Sequence, residues 1–303
     1  MLRIGALVAL GLIAGCGGNG GGGPKVAQRI RVGEAPSDVA AGQGGVWVVN
    51  NEALQEIDPR TNTTQISKPP DVGEGGIGLA LGSGAIWSTA PLDSQVVRFD
   101  PRTQKRTVVR VPGFAPSDVA VGEGAVWALS PAPAELVRID PRTNRVSGKT
   151  PLAGEPSAVA AGEGSVWIAN PDDGTVTRVD PDTGKADNDL IKVGKAPAGI
   201  AVGGGAVWTA NSGDDSVSKI DVRAGDVSTI EQVGAGPSDL ALGLGYLWVV
   251  NSRDDTLAQI DPRADKLANA KVRVGTQLSD VTTGFGAVWV AAFADNQVVR
   301  VKP

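Results

Sequence analysis

Apolar and polar positions along this chain follow a short repeated rhythm. After Lys195-Ala-Pro-Ala-Gly come Ile200-Ala-Val, Gly203-Gly-Gly, Ala206-Val-Trp-Thr-Ala-Asn, a polar stretch from Ser212 to Ser216, Val217-Ser-Lys-Ile-Asp and Val227-Ser-Thr-Ile. Short apolar runs bounded by Gly, Asn, Asp and Ser read as strands and tight turns, so this unit predicts four strands joined by three turns. Its first strand is built from Val, Ala and Ile, which suits strands converging on an axis where larger side chains would collide. The Gly-x-Gly step behind it supplies the positive φ of a tight hairpin.

The same unit recurs along the chain. Trp47, Trp87, Trp127, Trp167, Trp208, Trp248 and Trp289 stand 40, 40, 40, 41, 40 and 41 residues apart, and they are all the tryptophans present. A period near 40 with four short strands per repeat predicts an all-β fold, a seven-bladed β-propeller of four-stranded blades. One Trp at one position in every blade reads as packing between blades, since an indole offers roughly 150–250 Å² of contact surface. The third strand ends in Asp58-Pro-Arg-Thr, Asp100-Pro-Arg-Thr, Asp140-Pro-Arg-Thr, Asp180-Pro-Asp-Thr and Asp261-Pro-Arg-Ala. In these turns Pro fixes φ and Asp caps the free amides. The last repeat stops at Val299-Arg-Val-Lys-Pro303, one strand short, while Lys25 to Val32 looks like an outer strand with no blade of its own. This piece is expected to complete the seventh blade and close the ring, removing its open edge.

The wording Pro-Ser-x-Val-Ala-x-Gly-x-Gly-x-Val-Trp-Val-x-Asn followed by Ile-Asp-Pro-x-Thr resembles the YVTN and NHL propellers, and the virginiamycin B lyase-like group in particular, across residues 25–303. The resemblance implies the fold more than an activity, because propellers host unrelated functions. That lyase is similar in pairing a His general base with a metal ion, and this chain contains no His. The resemblance therefore argues against lyase activity here.

Composition narrows the chemistry further. Without His the chain lacks the commonest general base and metal ligand, and its single Cys excludes an internal disulfide. A formal charge of −5 with no Lys/Arg run makes nucleic acid an unexpected partner. Cys16 has its own explanation in the amino terminus. Met-Leu-Arg, an apolar run from Ile4 to Ala14 and then Gly15-Cys16 have the form of a secretion signal. Ile13-Ala14-Gly15-Cys16 resembles the bacterial lipobox, which implies cleavage before Cys16 and diacylation of its thiol. Residues 1–15 are thus expected to be a signal peptide, residues 16–24 a lipidated Cys with a Gly-rich tether, and residues 25–303 the propeller. The expected setting is a monomer anchored by lipid to the membrane, in the cell envelope outside the cytoplasm.

Candidate site residues come from comparing the blades. Just before the inner strand stand Asp38, Gly78, Asp118, Ala158, Gly199, Asp239 and Asp280. The four acids form a candidate ring at the channel mouth, able to hold Ca2+ or Mg2+, to meet a cationic ligand or to cap neighbouring amides. Carboxylates about 8 Å apart at an effective dielectric near 20 repel by about 2 kcal/mol, which something must offset. Blades 4 to 6 carry Asn170-Pro-Asp-Asp-Gly, Asn211-Ser-Gly-Asp-Asp and Asn251-Ser-Arg-Asp-Asp, ordinary turn sequences that make one face acidic. Phe114 and Phe293 are expected on that face as ligand contacts. The expected function is a binding or scaffold module for an envelope protein or polymer. The alternative is a metal-dependent lactonase- or lyase-like enzyme using the Asp ring.

Overall fold

The computed structural model describes residues 23–50, 53–65 and 70–303, so the expected signal peptide and Cys16 lie outside the described residues. No helix among the described residues is long and apolar enough to cross a membrane. The chain forms seven antiparallel sheets, six of four strands and the sixth blade of five because its outer strand is split in two; all but the last take their strands in sequence order. Blade 5 shows the pattern: Pro197–Gly203, Ala206–Asn211, Ser216–Asp221 and Val227–Ile230. The seven-bladed β-propeller expected from the repeat is the fold observed.

Ring closure also follows the expectation. Lys25–Arg31 joins Leu278–Gly284, Ala287–Ala292 and Gln297–Lys302 as the outer strand of blade 7, with Lys25 opposite Lys302 and Arg31 opposite Gln297. Ile30 is buried with Trp289 and Val298 of blade 7 and with Val39 and Val46 of blade 1. The Arg29 guanidinium donates to the Val274 carbonyl ahead of blade 7 at 2.7 Å.

All seven indoles are buried in the seams between blades. In six blades the Trp Nε1–H donates to the hairpin carbonyl five residues earlier, from Trp47 to Gly42 through Trp289 to Gly284. A cation covers the indole in five of the blades. Arg98, Arg138, Arg178, Lys219 and Arg300, each paired across from its Trp on the third strand, place a cation 5.1–5.9 Å from the ring. The signal was present as a basic residue two places before the turn Asp, or before Lys302 in blade 7, with Glu56 and Gln259 as the departures in blades 1 and 6. Such contacts contribute about 0.5–2 kcal/mol each, more as the cation is desolvated. Lys219 and Arg300 go further, donating to the turn of the following blade at Pro262, Asp265, Pro59 and Asn62.

The Asp-Pro turns are capped as expected: Asp100, Asp140, Asp180 and Asp261 each accept from two backbone amides. Asp221, with no Pro after it, does the same in blade 5. These turns and the inner hairpins form the lower face of the ring. The upper face carries the loops between second and third strands and the links from one blade to the next.

Candidate channel mouth and upper face

The structure brings the four predicted acids together around the axis, but from within the strands. Asp38, Asp239 and Asp280 follow a bulge in the inner strand, where pairing shifts after Pro36, Pro237 and Leu278, and Asp118 opens its strand. A bulge re-aims the side chain that follows it, here toward the next blade. Asp38 accepts from the Leu79 amide at 2.7 Å, Asp118 from Val159 at 2.7 Å, Asp239 from Val281 at 3.2 Å and Asp280 from Val39 at 2.8 Å. Asp118 also accepts from its own neighbour Val119 at 2.7 Å. Four of the seven blade junctions therefore carry a carboxylate clip.

The other three junctions start from Gly78, Ala158 and Gly199. A Cβ at Gly199 would stand 2.7 Å from the Ser238 carbonyl oxygen and 2.8 Å from the Asp239 Cα, so the backbone of blade 6 occupies the space an acid would need. Gly78 is crowded in the same way by Ser117 and Asp118. Glycine here serves close approach between blades.

Asp280 stands between Asp38 on one side and Asp239 on the other, close enough for their charges to interact. Neighbouring carboxylates repel when ionised, so this arrangement favours their protonated forms. Burial pushes Asp38 and Asp118 up to about 7, and like charges across the ring add to it. Burial also raises Asp239 and Asp280 well above the ordinary carboxylate value, with repulsion between adjacent acids next in weight. Each acid keeps some surface open to the channel. Protons and amides thus supply the compensation that the ring requires. Among the described residues no three His, Cys, Asp or Glu side chains are arranged to hold a metal ion. Each ring acid gives at least one carboxyl oxygen to a backbone amide of the next blade.

Beneath the ring a cavity of about 310 Å³ runs down the channel between aliphatic walls that include Val39, Leu79, Val159 and Ile200. Above it a mouth of about 190 Å³ is ringed by Ser37, Ser117, Ser157, Ser238 and Ser279. Ser37, Ser157 and Ser279 donate to carbonyls of the next blade at Gly76, Pro197 and Pro36, so Ser37-Asp38 and Ser279-Asp280 each join blades with a donor and an acceptor together.

The acidic loops of the upper face hold the links between blades. Asp93, Asp214, Asp254 and Asp295 accept from the amides of Glu74, Lys195, Ala235 and Thr276, each in the link entering the same blade. Asp215 and Asp255 accept from Gly236 and Gln277 in the link leaving it. Between blades 4 and 5 a groove of about 380 Å³ remains, lined by Asp172, Asp173, Lys192, Lys195 and Asp214.

The two phenylalanines part company. Phe293 stands on the upper face, 42% exposed, as expected. Phe114 does not: it is 1% exposed and packs with Val111, Val119 and Trp87 in the seam between blades 2 and 3. The link entering blade 3 folds inward there, the Phe114 amide donating to the Val111 carbonyl at 3.1 Å. Phe114 is a core residue.

No protein-family model matches the chain, and no curated protein matches it in sequence. Solved structures do. The chain is similar to virginiamycin B lyase from Staphylococcus aureus, with a TM-score of 0.78 at 15% identity over 92% of this chain and 99% of that one. What they share is the propeller. A chain of Kuenenia stuttgartiensis hydrazine synthase gives 0.77 at 13% identity, covering 89% of this chain and 96% of that one. A chain from a structure of the mitotic checkpoint complex gives 0.80 at 10% identity over 100% and 99%. The same frame thus occurs in a lyase, in hydrazine synthase and in a multiprotein complex, so the fold alone does not choose a function.

Proposed function

We propose that the protein is a lipid-anchored, extracytoplasmic binding or scaffold module that engages an envelope protein or polymer through its upper face. The observation that carries this reading is the use to which the acids are put. Asp38, Asp118, Asp239 and Asp280 hold neighbouring blades together, and Asp93, Asp214, Asp254 and Asp295 hold the links. What remains free on the upper face differs from blade to blade: Phe293 over blade 7, the groove between blades 4 and 5, and exposed Leu92 over blade 2. A rigid ring with varied loops is the arrangement of a recognition surface. A lipid on Cys16 would hold it in the envelope.

The test is crosslinking in intact cells followed by capture of the full-length chain. Phe293→Asp and Asp214→Lys are expected to reduce crosslinked partner several-fold, while Arg142→Glu on the lower face leaves it unchanged. Turnover of a lactone, ester or glycan that disappears in Asp239→Asn would overturn the binding reading, as would a stoichiometric divalent metal lost in the same variant.

A further inference from the structure

On the lower face, six of the seven inner hairpins turn through a non-glycine residue at positive φ: Gln43, Ser83, Glu123, Glu163, Leu244 and Phe285, with glycine in blade 5. Left-handed backbone suits Gly, Asn and Asp and is uncommon for bulky residues. Yet the tips of the adjacent blades 6 and 7 carry Leu244 and Phe285, 39% and 45% exposed. Neither side chain contributes to the core, and the equivalent places in the other blades are polar or glycine.

The chain enters the fold in this same sector. Because Lys25 lies opposite Lys302 and Arg31 opposite Gln297, the closing strand starts at the lower face and runs upward. Gly23, just before it, lies against Asn269 of blade 6. Seven residues carry the chain from Cys16 to Gly23. A link of seven residues spans at most about 25 Å even when fully extended. An acyl group on Cys16 would therefore keep the lower side of blades 6 and 7 next to the bilayer.

Charge favours the same orientation. The lower turns present exposed Arg60, Arg102, Arg142, Arg223 and Arg263, each offsetting the capping Asp of its own turn. The upper loops present exposed Glu34, Glu74, Asp93, Asp172, Asp173 and Asp214, which an anionic membrane surface repels.

We propose that the lower face of blades 6 and 7 is a membrane-contact surface, with Leu244 and Phe285 entering the boundary between headgroups and acyl chains. The upper face and channel mouth then point away from the bilayer, open to partners. This orientation rests on the lipid-anchor reading above. To test it, full-length protein isolated from membranes is reconstituted in vesicles of phosphatidylethanolamine and phosphatidylglycerol. It carries one added thiol, at Leu244→Cys, Phe285→Cys or the upper-face control Phe293→Cys, labelled with an environment-sensitive fluorophore. Labels at 244 and 285 are expected to shift to the blue and to be quenched several-fold more by nitroxide-bearing lipids than the label at 293. Equal quenching at all three, or more at 293, overturns the orientation. Shielding at 244 and 285 that depends on protein concentration and resists nitroxide lipids assigns the patch to a second copy of the chain, which also overturns it. Flotation with vesicles no better than that of Cys16→Ser removes the anchor reading itself. Flotation lost in Cys16→Ser but without quenching at 285 leaves the anchor standing and removes only the orientation.

Discussion

Asp118 shows how one side chain serves two blades. Its carboxyl accepts from Val119 in its own strand and from Val159 in the next. Asp118→Ala leaves both amides without that partner, a loss of about 1–3 kcal/mol that channel water brings toward the lower end. For a domain of this size each kcal/mol lowers Tm by about 2–4 °C. The pH dependence has a definite sign. Burial lifts Asp38 and Asp118 from 3.8 to about 7 in the folded state, so folding favours their protonated forms. The stability they contribute is full below about 4 and is lost as pH rises through about 7. The turn acids oppose this only at lower pH: hydrogen bonds from Arg60 hold Asp58 near 2, and its small exposed contribution fades below about 4. Melting curves should thus show Tm falling between pH 4 and 7, with a shallower fall in Asp118→Asn, which cannot ionise. A Tm that rises across that window in the wild type would refute this assignment of protons.

At the scale of a strand, the same position carries unequal weight in different blades. Ile30, in the closing strand, is buried against both blade 7 and blade 1, whereas Val227, in the outer strand of blade 5, is 40% exposed. Ile30→Ala is expected to cost about 2–4 kcal/mol through lost packing, and Val227→Ala about 0.5 kcal/mol or less. Urea unfolding monitored by Trp fluorescence checks this, and equal shifts in midpoint would mean that ring closure adds nothing special to Ile30. The closing strand was legible in the sequence because the last repeat ends one strand short and Lys25 to Val32 has no blade. Pro-Ser-Asp was legible as a motif but not in its use. A bulge that turns Asp38 toward the next blade leaves no mark in a run of apolar and polar letters. Phe114 was misplaced for a related reason: a lone aromatic in a Gly- and Pro-rich link looks exposed until the link folds into the seam. The outer strand of blade 6, divided into Lys266–Leu267 and Val272–Arg273, likewise had no counterpart in the repeat.

Across the whole ring, the clips are unevenly placed and one amide is left out. The seven equivalent inner-strand amides belong to Val39, Leu79, Val119, Val159, Ile200, Leu240 and Val281. Four take a carboxylate from the preceding blade: Val39, Leu79, Val159 and Val281. Val119 and Leu240 follow a glycine junction and have an acid beside them in their own strand: Asp118, which accepts from the Val119 amide, and Asp239, next to Leu240. Ile200 has neither, because Ala158 stands in the preceding blade and Gly199 in its own. Local opening of a fold concentrates where such ties are fewest, so hydrogen exchange should be faster at Ile200 than at Val159 or Val281. Restoring the missing acid tests the cause. Ala158→Asp places a carboxylate where Asp118 places one for Val159, and exchange at Ile200 should then slow toward the rate of its clipped equivalents. If the variant folds and Ile200 still exchanges as before, the carboxylates are passengers of the turn sequence and the ring is held by its tryptophan seams alone.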